Sequence, residues 1–215
     1  MTNTMFAFEQ SPVTVAPQVR QLFLRTWSHI AAPGTWWTGP ERIAIAHLAR
    51  ANRRGSEDRD PLLPAAANDA VARLAATPAT TTRVWVDAVV DGIGLGRYIE
   101  LVGIVSEVVA IDTVTRLLGC DLESLPTPLP GTPSHDPVPA AVKKRSAWVA
   151  MASPPIPPNV LAAVPAAQRT MIDLTEALYM TGPEMADPNI TKDGLHRTQI
   201  ELVATTTSLA NECFY

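Results

Sequence analysis

The sequence predicts an all-α protein, and three observations favour that fold class. Apolar residues recur at spacings of three and four along most of the chain, which is the period of an amphipathic helix. Alternation of apolar and polar residues, typical of strands, is scarce, and TTTRVWVDAVV is the one ambiguous stretch. Of the 20 prolines, 11 lie between Pro126 and Pro165, so proline marks a connector that separates helical regions.

The helices before the connector are each predicted from an apolar stripe and its boundary residues. In the first of them, Phe23, Trp27 and Ile30 fall on one face. Pro40 suits the first turn of the second, because a proline there loses no helical hydrogen bond. The five predicted helices are Pro17–Ala31, a second from Pro40 to the basic residues before Gly55, Ala65–Ala76, Thr81–Val90, and a long helix GRYIELVGIVSEVVAIDTVTRLLG that Gly119 closes.

The proline-rich stretch cannot be one helix, because each ring removes an amide donor and crowds the preceding turn. We predict an extended connector over the surface, with a short helix around Val142–Val149. Two further helices are expected, from about Pro165 to Met180 and from about Leu195 to the end of the chain. The chain is thus divided into an N-terminal helical half at residues 1–125, the Pro-rich connector at 126–165, and a C-terminal helical segment at 166–215.

A weak internal likeness suggests that the two helical halves are related. An ungapped alignment of Thr38–Arg54 with Arg197–Cys213 pairs residues of similar character but makes few identical matches. In that alignment Arg42 stands opposite Glu201. We therefore expect the N-terminal copy to lack redox chemistry and to act as scaffold.

The composition limits the size of the protein and its classes of partner. The 215 residues suffice for one large domain or two small ones. The formal net charge of −4 argues against nucleic-acid and anionic-membrane partners, which bind basic surfaces. No apolar run approaches the roughly 18 residues of a membrane span, and the start of the chain lacks the features of a signal peptide. The two cysteines, Cys120 and Cys213, make no disulfide framework, so we predict a cytoplasmic protein.

The most informative segment is LHRTQIELVATTTSLANECFY at the C-terminus. Glu201 precedes Cys213 by twelve residues, and Tyr215 follows. Asn211 is of the residue type that caps a helical turn, and a helix N-terminus at Cys213 would lower the pKa of its thiol. Glu201 would relay protons to or from that thiol if burial raised the pKa of its carboxyl group toward neutrality.

These residues carry a resemblance to a known family. The run Arg197-x-x-x-Glu201-Leu-Val-Ala, followed by Ser208, Asn211 and Cys213, resembles the AhpD-like alkylhydroperoxidase / carboxymuconolactone decarboxylase superfamily, in its peroxidase-related branch. The segments TWWTGPERIAIAHLARAN and GRYIELVGIVSEVVAIDTVTRLLG are similar to other helices of that branch. The resemblance covers most of the chain, and its specific part is the last twenty residues.

The resemblance implies an AhpD-like helical bundle that reduces hydroperoxides with a pair of redox residues and no cofactor. Glu201 matches the family's proton-relay acid, and Cys213 matches the first, resolving cysteine of its C-x-x-C motif. The partners implied are a hydroperoxide substrate, a thiol reductant or reductase protein, and further copies of the chain in a homo-oligomer. His196 and Tyr215 are possible supporting residues of the site.

The family's second redox residue and its histidine would fall at the first and fifth positions after Tyr215. Three explanations remain open: a degenerate family member, a truncated or frameshifted gene product, or a UGA codon for selenocysteine read as a stop. We favour the third, because a selenol is mostly ionised near neutral pH. The 215-residue chain alone is expected to show little or no peroxidase turnover.

Other candidate residues support less specific interpretations. The histidines show no metal-ligand spacing, so no metal site is predicted. Cys120 is expected to pack at a helix end, although a disulfide with Cys213 stays open. Two rival functions also stay open. One is a cofactor-free lyase resembling the carboxymuconolactone decarboxylases, with His196 as its base. The other is a non-catalytic helical scaffold or oligomerisation protein.

Overall fold

Helices form where the apolar stripes lie, and they account for most of the chain in the computed structural model, which describes residues 5–145 and 147–212. The all-α class is confirmed for that part of the chain. No helix within it is both long enough and apolar enough to cross a membrane. The helices are α1 Pro17–Ala31, α2 Gly39–Asn52, α3 Ala65–Ala76, α4 Arg83–Ile93, α5 Leu95–Leu117, α6 Pro165–Leu178, α7 Gly182–Ala186 and α8 Arg197–Ala210.

The helix boundaries follow local capping chemistry. Helix α2 begins after Thr38, whose hydroxyl accepts the N–H of Glu41, while the Glu41 carboxylate accepts the N–H of Thr38. Helix α4 begins at Arg83, two residues later than predicted, because the Thr82 hydroxyl caps it by accepting the N–H of Trp85. The ambiguous stretch TTTRVWVDAVV is thus largely helical.

Two short antiparallel hairpins and two 3₁₀ helices, Pro78–Thr80 and Pro157–Leu161, complete the regular structure of the described residues. Strand β1, Lys143–Lys144, pairs with β2, Ala150–Met151. Strand β3, Thr191–Lys192, pairs with β4, Leu195–His196. The short helix predicted around Val142–Val149 is wrong. So short a segment gains little as a helix, whereas the hairpin pairs backbone groups and buries Val149 and Met151.

Helix α5 is the central element of the bundle. It packs against α1, α2, α3, α4 and α6, and its inward side chains include Leu101, Ile104 and Ile111. Gly103 allows α6 to approach closely, since a Cβ atom at this position would lie 2.9 Å from the Cβ of Ala167. Because α5 is enclosed on several sides, polar residues on its inner faces are also buried.

The proline-rich connector runs along the loop between α1 and α2 without regular secondary structure from 121 to 139. Its backbone N–H groups donate to the carbonyl oxygens of that loop region: Leu129 to Ala31 at 2.8 Å, Ser134 to Gly34 at 3.1 Å and His135 to Thr35 at 2.9 Å. These bonds hold the connector in place although most of its side chains are exposed.

Candidate functional site

The predicted relay acid, Glu201, lies on the second turn of α8 and has two partners. One of its carboxylate oxygens, Oε1, accepts a hydrogen bond from the Tyr179 hydroxyl at 2.7 Å and another from Arg197 Nε at 2.7 Å. Arg197 also donates through Nη1 to the Glu184 and Met185 carbonyl oxygens, at 3.2 and 2.8 Å. The arginine therefore joins the start of α8 to α7 and orients the Glu201 carboxylate.

Proton relay by Glu201 was predicted on the condition that the pKa of its carboxyl group is raised, and in the structure that pKa is lowered. Its side chain is 41% exposed, and the rise that partial burial causes in the pKa of its carboxyl group is outweighed by its hydrogen-bond partners. The hydrogen bond from Tyr179 lowers that pKa, and Arg197 lowers it further. Glu201 is therefore ionised at neutral pH. In this state it can accept a proton but has none to donate.

His196 caps α8. Its side chain accepts a hydrogen bond from the Thr198 N–H at 3.3 Å, and its own backbone N–H donates to Gln199 Oε1 at 2.9 Å. The residue is exposed. Histidine is not a usual N-cap residue, so the sequence did not predict this role.

The redox end of the site lies outside the described residues, because Cys213 and Tyr215 fall there. Asn211 is the residue at which α8 ends, and the new turn that it is predicted to cap at the cysteine lies outside the described residues. Its side-chain amide donates to the Thr207 carbonyl oxygen at 2.7 Å. Cys120 follows the end of α5 as a half-buried free thiol.

The structure also contains a buried polar cluster that the sequence analysis did not identify. Arg42 of α2 and Glu100 of α5 are only 1% and 2% exposed and form an ion pair. The guanidinium group also donates to two carbonyl oxygens of α1, His29 at 3.0 Å and Ile30 at 3.3 Å. Arg42 thus ties α1, α2 and α5 together.

Glu100 is further bound by the loop between α1 and α2. The Trp36 N–H donates to Glu100 Oε2 at 2.6 Å, and the Thr35 amide adds a second backbone bond. Burial raises the pKa of Glu100, while Arg42 and these two amides oppose the rise. Gly34 lies so close to the pair that any side chain there would collide with the carboxylate and the guanidinium.

Glu107 lies two helical turns beyond Glu100 on α5 and is 1% exposed. Its Oε2 atom has no hydrogen-bond partner among the described residues. Burial raises the pKa of Glu107 to about 8, because the effect of desolvation outweighs the attraction of Arg42. His29 lies at the same cluster, half-buried, where burial and the charge of Arg42 lower the pKa of its ring to about 4. At pH 7 both side chains are therefore mostly neutral.

A signal for this cluster was present in the sequence. Glu100 and Glu107 stand seven residues apart in a largely apolar helix, which places them on the same face. Nothing in the pattern pointed to Arg42 as the partner, since 58 residues separate it from Glu100.

Neither metal chemistry nor a known relative identifies the site. Among residues 5–145 and 147–212, no group of three His, Cys, Asp or Glu side chains is arranged to hold a metal ion. Comparison with family models, curated proteins and solved structures finds no significant match. The function is therefore argued from the residues.

Proposed function

We propose that this chain belongs to a thiol-dependent hydroperoxide reductase of the AhpD-like type, in which Cys213 is the resolving thiol and Glu201 its proton acceptor. The observation that supports the proposal is the geometry at the start of α8. Arg197 and Tyr179 hold the Glu201 carboxylate ionised, on the helix that leads to Cys213. An ionised, oriented carboxylate can accept the proton of a thiol.

The proposed reaction uses a second thiol or selenol, which the family resemblance implies after Tyr215. Its anion attacks one oxygen of the hydroperoxide, the O–O bond breaks, and the alkoxide leaves and takes up a proton to give an alcohol. The oxidised sulfur or selenium is then attacked by the Cys213 thiolate. A disulfide or selenosulfide forms and water leaves. A thiol reductant supplies the two electrons that restore the pair.

The gain from Glu201 can be estimated from thiol ionisation. A cysteine of ordinary pKa, about 8.5, is only about 3% ionised at pH 7. Removing the proton during attack can therefore accelerate the reaction of Cys213 by up to about 30-fold at pH 7, and by little above pH 9.

The test measures the alkylation rate of Cys213 by iodoacetamide from pH 6 to 9.5 in the 215-residue chain, in which Cys120→Ser leaves Cys213 as the one thiol. Glu201→Gln is expected to slow the reaction by up to about 30-fold at pH 7 and hardly at all at pH 9.5. Glu212→Gln, which removes the same charge one residue from Cys213, is the matched control and should not slow it. Equal rates for Glu201→Gln and the parent at pH 7 would refute the role of Glu201.

The same experiment separates the rival functions. A Cys213 thiol that resists both alkylation and peroxide in the native protein would favour the non-catalytic scaffold. A lyase activity that persists in Cys213→Ser would favour the decarboxylase-like alternative. The capping role of His196 weakens that alternative, because its ring is already engaged at the start of α8.

The homo-oligomer is part of the proposal and has support on α8. Helix α8 buries none of its residues, and it exposes 68% of Leu202, 64% of Val203 and 78% of Leu209. A second copy covering this face would remove apolar surface from water. Leu202→Gln is expected to lower the molar mass measured by light scattering, whereas Leu117→Gln, at the end of α5 where the leucine is 81% exposed, should leave it unchanged. A monomeric parent protein would contradict this part of the proposal.

A further inference from the structure

Glu201 and Cys213 are too far apart along one chain for proton transfer between them. Helix α8 ends at Ala210, and the N–H groups of Asn211 and Glu212 still donate to carbonyl oxygens of its last turn. Eleven residues separate Glu201 from Glu212, which is about 16 Å along the helix axis. One further peptide bond spans about 3.8 Å, so the Cα atoms of Glu201 and Cys213 cannot approach closer than about 12 Å.

The Glu201 carboxylate also points away from the C-terminal end of α8. Its Oε1 atom accepts from Arg197, one turn nearer the start of the helix, and from Tyr179 just after α6. A cysteine has a single carbon between Cα and sulfur, so its side chain cannot span the remaining distance. Glu201 therefore cannot take the proton of Cys213 in its own chain, either through a direct hydrogen bond of about 3 Å or through one bridging water.

Helix α8 has an uncharged outer face that suits a second copy of itself. Residues 202–211 include no Lys, Arg, Asp or Glu, so this face has no charge to attract a charged partner or to repel an identical helix. Ile200, Ala204 and Thr207 line a groove against the β3–β4 hairpin and the end of α6. Leu202 and Leu209 lie on the opposite side, where they are 68% and 78% exposed.

The segment that contains α8 has no core of its own. None of the residues from 181 to 212 is buried. A helix of 14 residues is only marginally stable in water without tertiary packing, so contact with a second copy would stabilise this part of the chain.

An antiparallel pair of α8 helices joins two such faces with twofold symmetry. Placing Leu202 opposite Leu209 of the second copy makes the same leucine contact twice. In this register Glu212 lies level with Gln199 of the second copy, about 3 Å along the axis from Glu201 of that copy. The Glu201 carboxylate is directed toward this level by its bond to Arg197.

We propose that two copies pair through antiparallel α8 helices, and that Glu201 of each copy takes the proton of Cys213 of the other. The S–H bond breaks, the proton moves to the ionised carboxylate, and the electron pair stays on sulfur as the thiolate. Each pair of copies thus contains two complete sites, whereas a single chain contains none. The inference rests on the proposed role of Glu201 as proton acceptor and adds that the second copy supplies it.

Mixed copies test whether the site is shared. All chains carry Cys120→Ser, and Glu201→Gln chains are refolded together with an excess of Cys213→Ser chains. Only the Glu201→Gln chains then have a thiol, and most of them are paired with a copy whose Glu201 is intact. Alkylation of this thiol by iodoacetamide at pH 7 is expected to rise by up to about 30-fold over unmixed Glu201→Gln, to the parent rate.

The matched control replaces the excess chain by one that carries both Glu201→Gln and Cys213→Ser, and it should give no rise. An equally slow reaction in both mixtures would overturn the shared site and leave Glu201 as an acceptor within its own chain. Unmixed Glu201→Gln that reacts at the parent rate would instead refute the proposed function, and the shared site with it.

Disulfide trapping tests the antiparallel orientation in chains without native thiols. Leu202→Cys and Leu209→Cys are placed in separate chains that also carry Cys120→Ser and Cys213→Ser, and the two chains are mixed and oxidised. Mass spectrometry should find mainly the disulfide between the two different chains, because position 202 lies opposite position 209. Disulfides mainly between identical chains, or no cross-linked chains at all, would overturn the proposal.

Discussion

Replacing Glu107 by glutamine should stabilise the protein at neutral and alkaline pH. The pKa of the carboxyl group is about 8 in the folded protein, against an ordinary value of 4.5. Below pH 4.5 both the folded and the unfolded chain hold the proton, so this group adds no pH dependence. Between pH 4.5 and 8 the unfolded chain releases the proton and the folded chain keeps it. Stability therefore falls as the pH rises through this window.

The size of the effect follows from the shift in pKa. Each pH unit in the window costs about 1.4 kcal/mol, so the parent loses about 3 kcal/mol by pH 7 and about 5 kcal/mol by pH 8. Glu107→Gln keeps a polar side chain of the same size but removes the group that titrates. Its free energy of unfolding should exceed that of the parent by these amounts, after starting from near equality at pH 4.5.

Urea denaturation followed by circular dichroism, from pH 4.5 to 9, measures the difference directly. Glu176→Gln, an exposed glutamate of α6, is the control and should give a curve parallel to that of the parent. A constant difference between Glu107→Gln and the parent across this range would refute the reasoning, because it would mean that Glu107 titrates alike in the folded and unfolded chains.

Two further predictions concern the same cluster. Burial and Arg42 lower the pKa of His29 from 6.5 to about 4, so the unfolded chain binds the extra proton between these values and stability rises with pH there. The free energy of unfolding of His29→Gln, measured in urea at a series of pH values, should lack this rise of about 3 kcal/mol. A dependence on pH equal to that of the parent would contradict the lowered pKa of His29. Arg42→Leu leaves Glu100 buried without its cation and should cost about 3–5 kcal/mol of unfolding free energy. The double variant Arg42→Leu/Glu100→Leu should recover much of that loss. If the effects of the two single variants on the free energy of unfolding simply add in the double variant, the two side chains do not interact.

The sequence predicted most helices correctly because their boundaries depend on local chemistry. Helix α1 begins at Pro17 and ends at Ala31 as expected, and α3 likewise occupies Ala65–Ala76. The hairpin β1–β2 was missed because its stability comes from pairing and from the burial of Val149 in the core. Such tertiary contacts leave no periodic signal in so short a segment.

The candidate site was predictable only in part for a related reason. Arg197 and Glu201 stand four residues apart on one helix, a spacing that favours the ion pair found in the structure. The contact of Glu201 with Tyr179 depends on how α8 folds back toward the end of α6, which no motif encodes. The pairing of Arg42 with Glu100 likewise depends on how α2 crosses α5. Periodicity gives the apolar face of a helix but not which polar side chains the packing will enclose.

The close packing of α6 on the central helix α5 has a consequence for the connectivity of the chain. Ala167 and Leu174 of α6, with Leu161 and Val164 before it, are buried in the same core as α1 and α5. The stretch from 121 to 139, whose side chains are mostly exposed, contributes little to this core. Cleavage of the backbone near Pro137 would therefore yield two fragments that stay associated without a covalent link, as in a protein reconstituted from its complementary pieces.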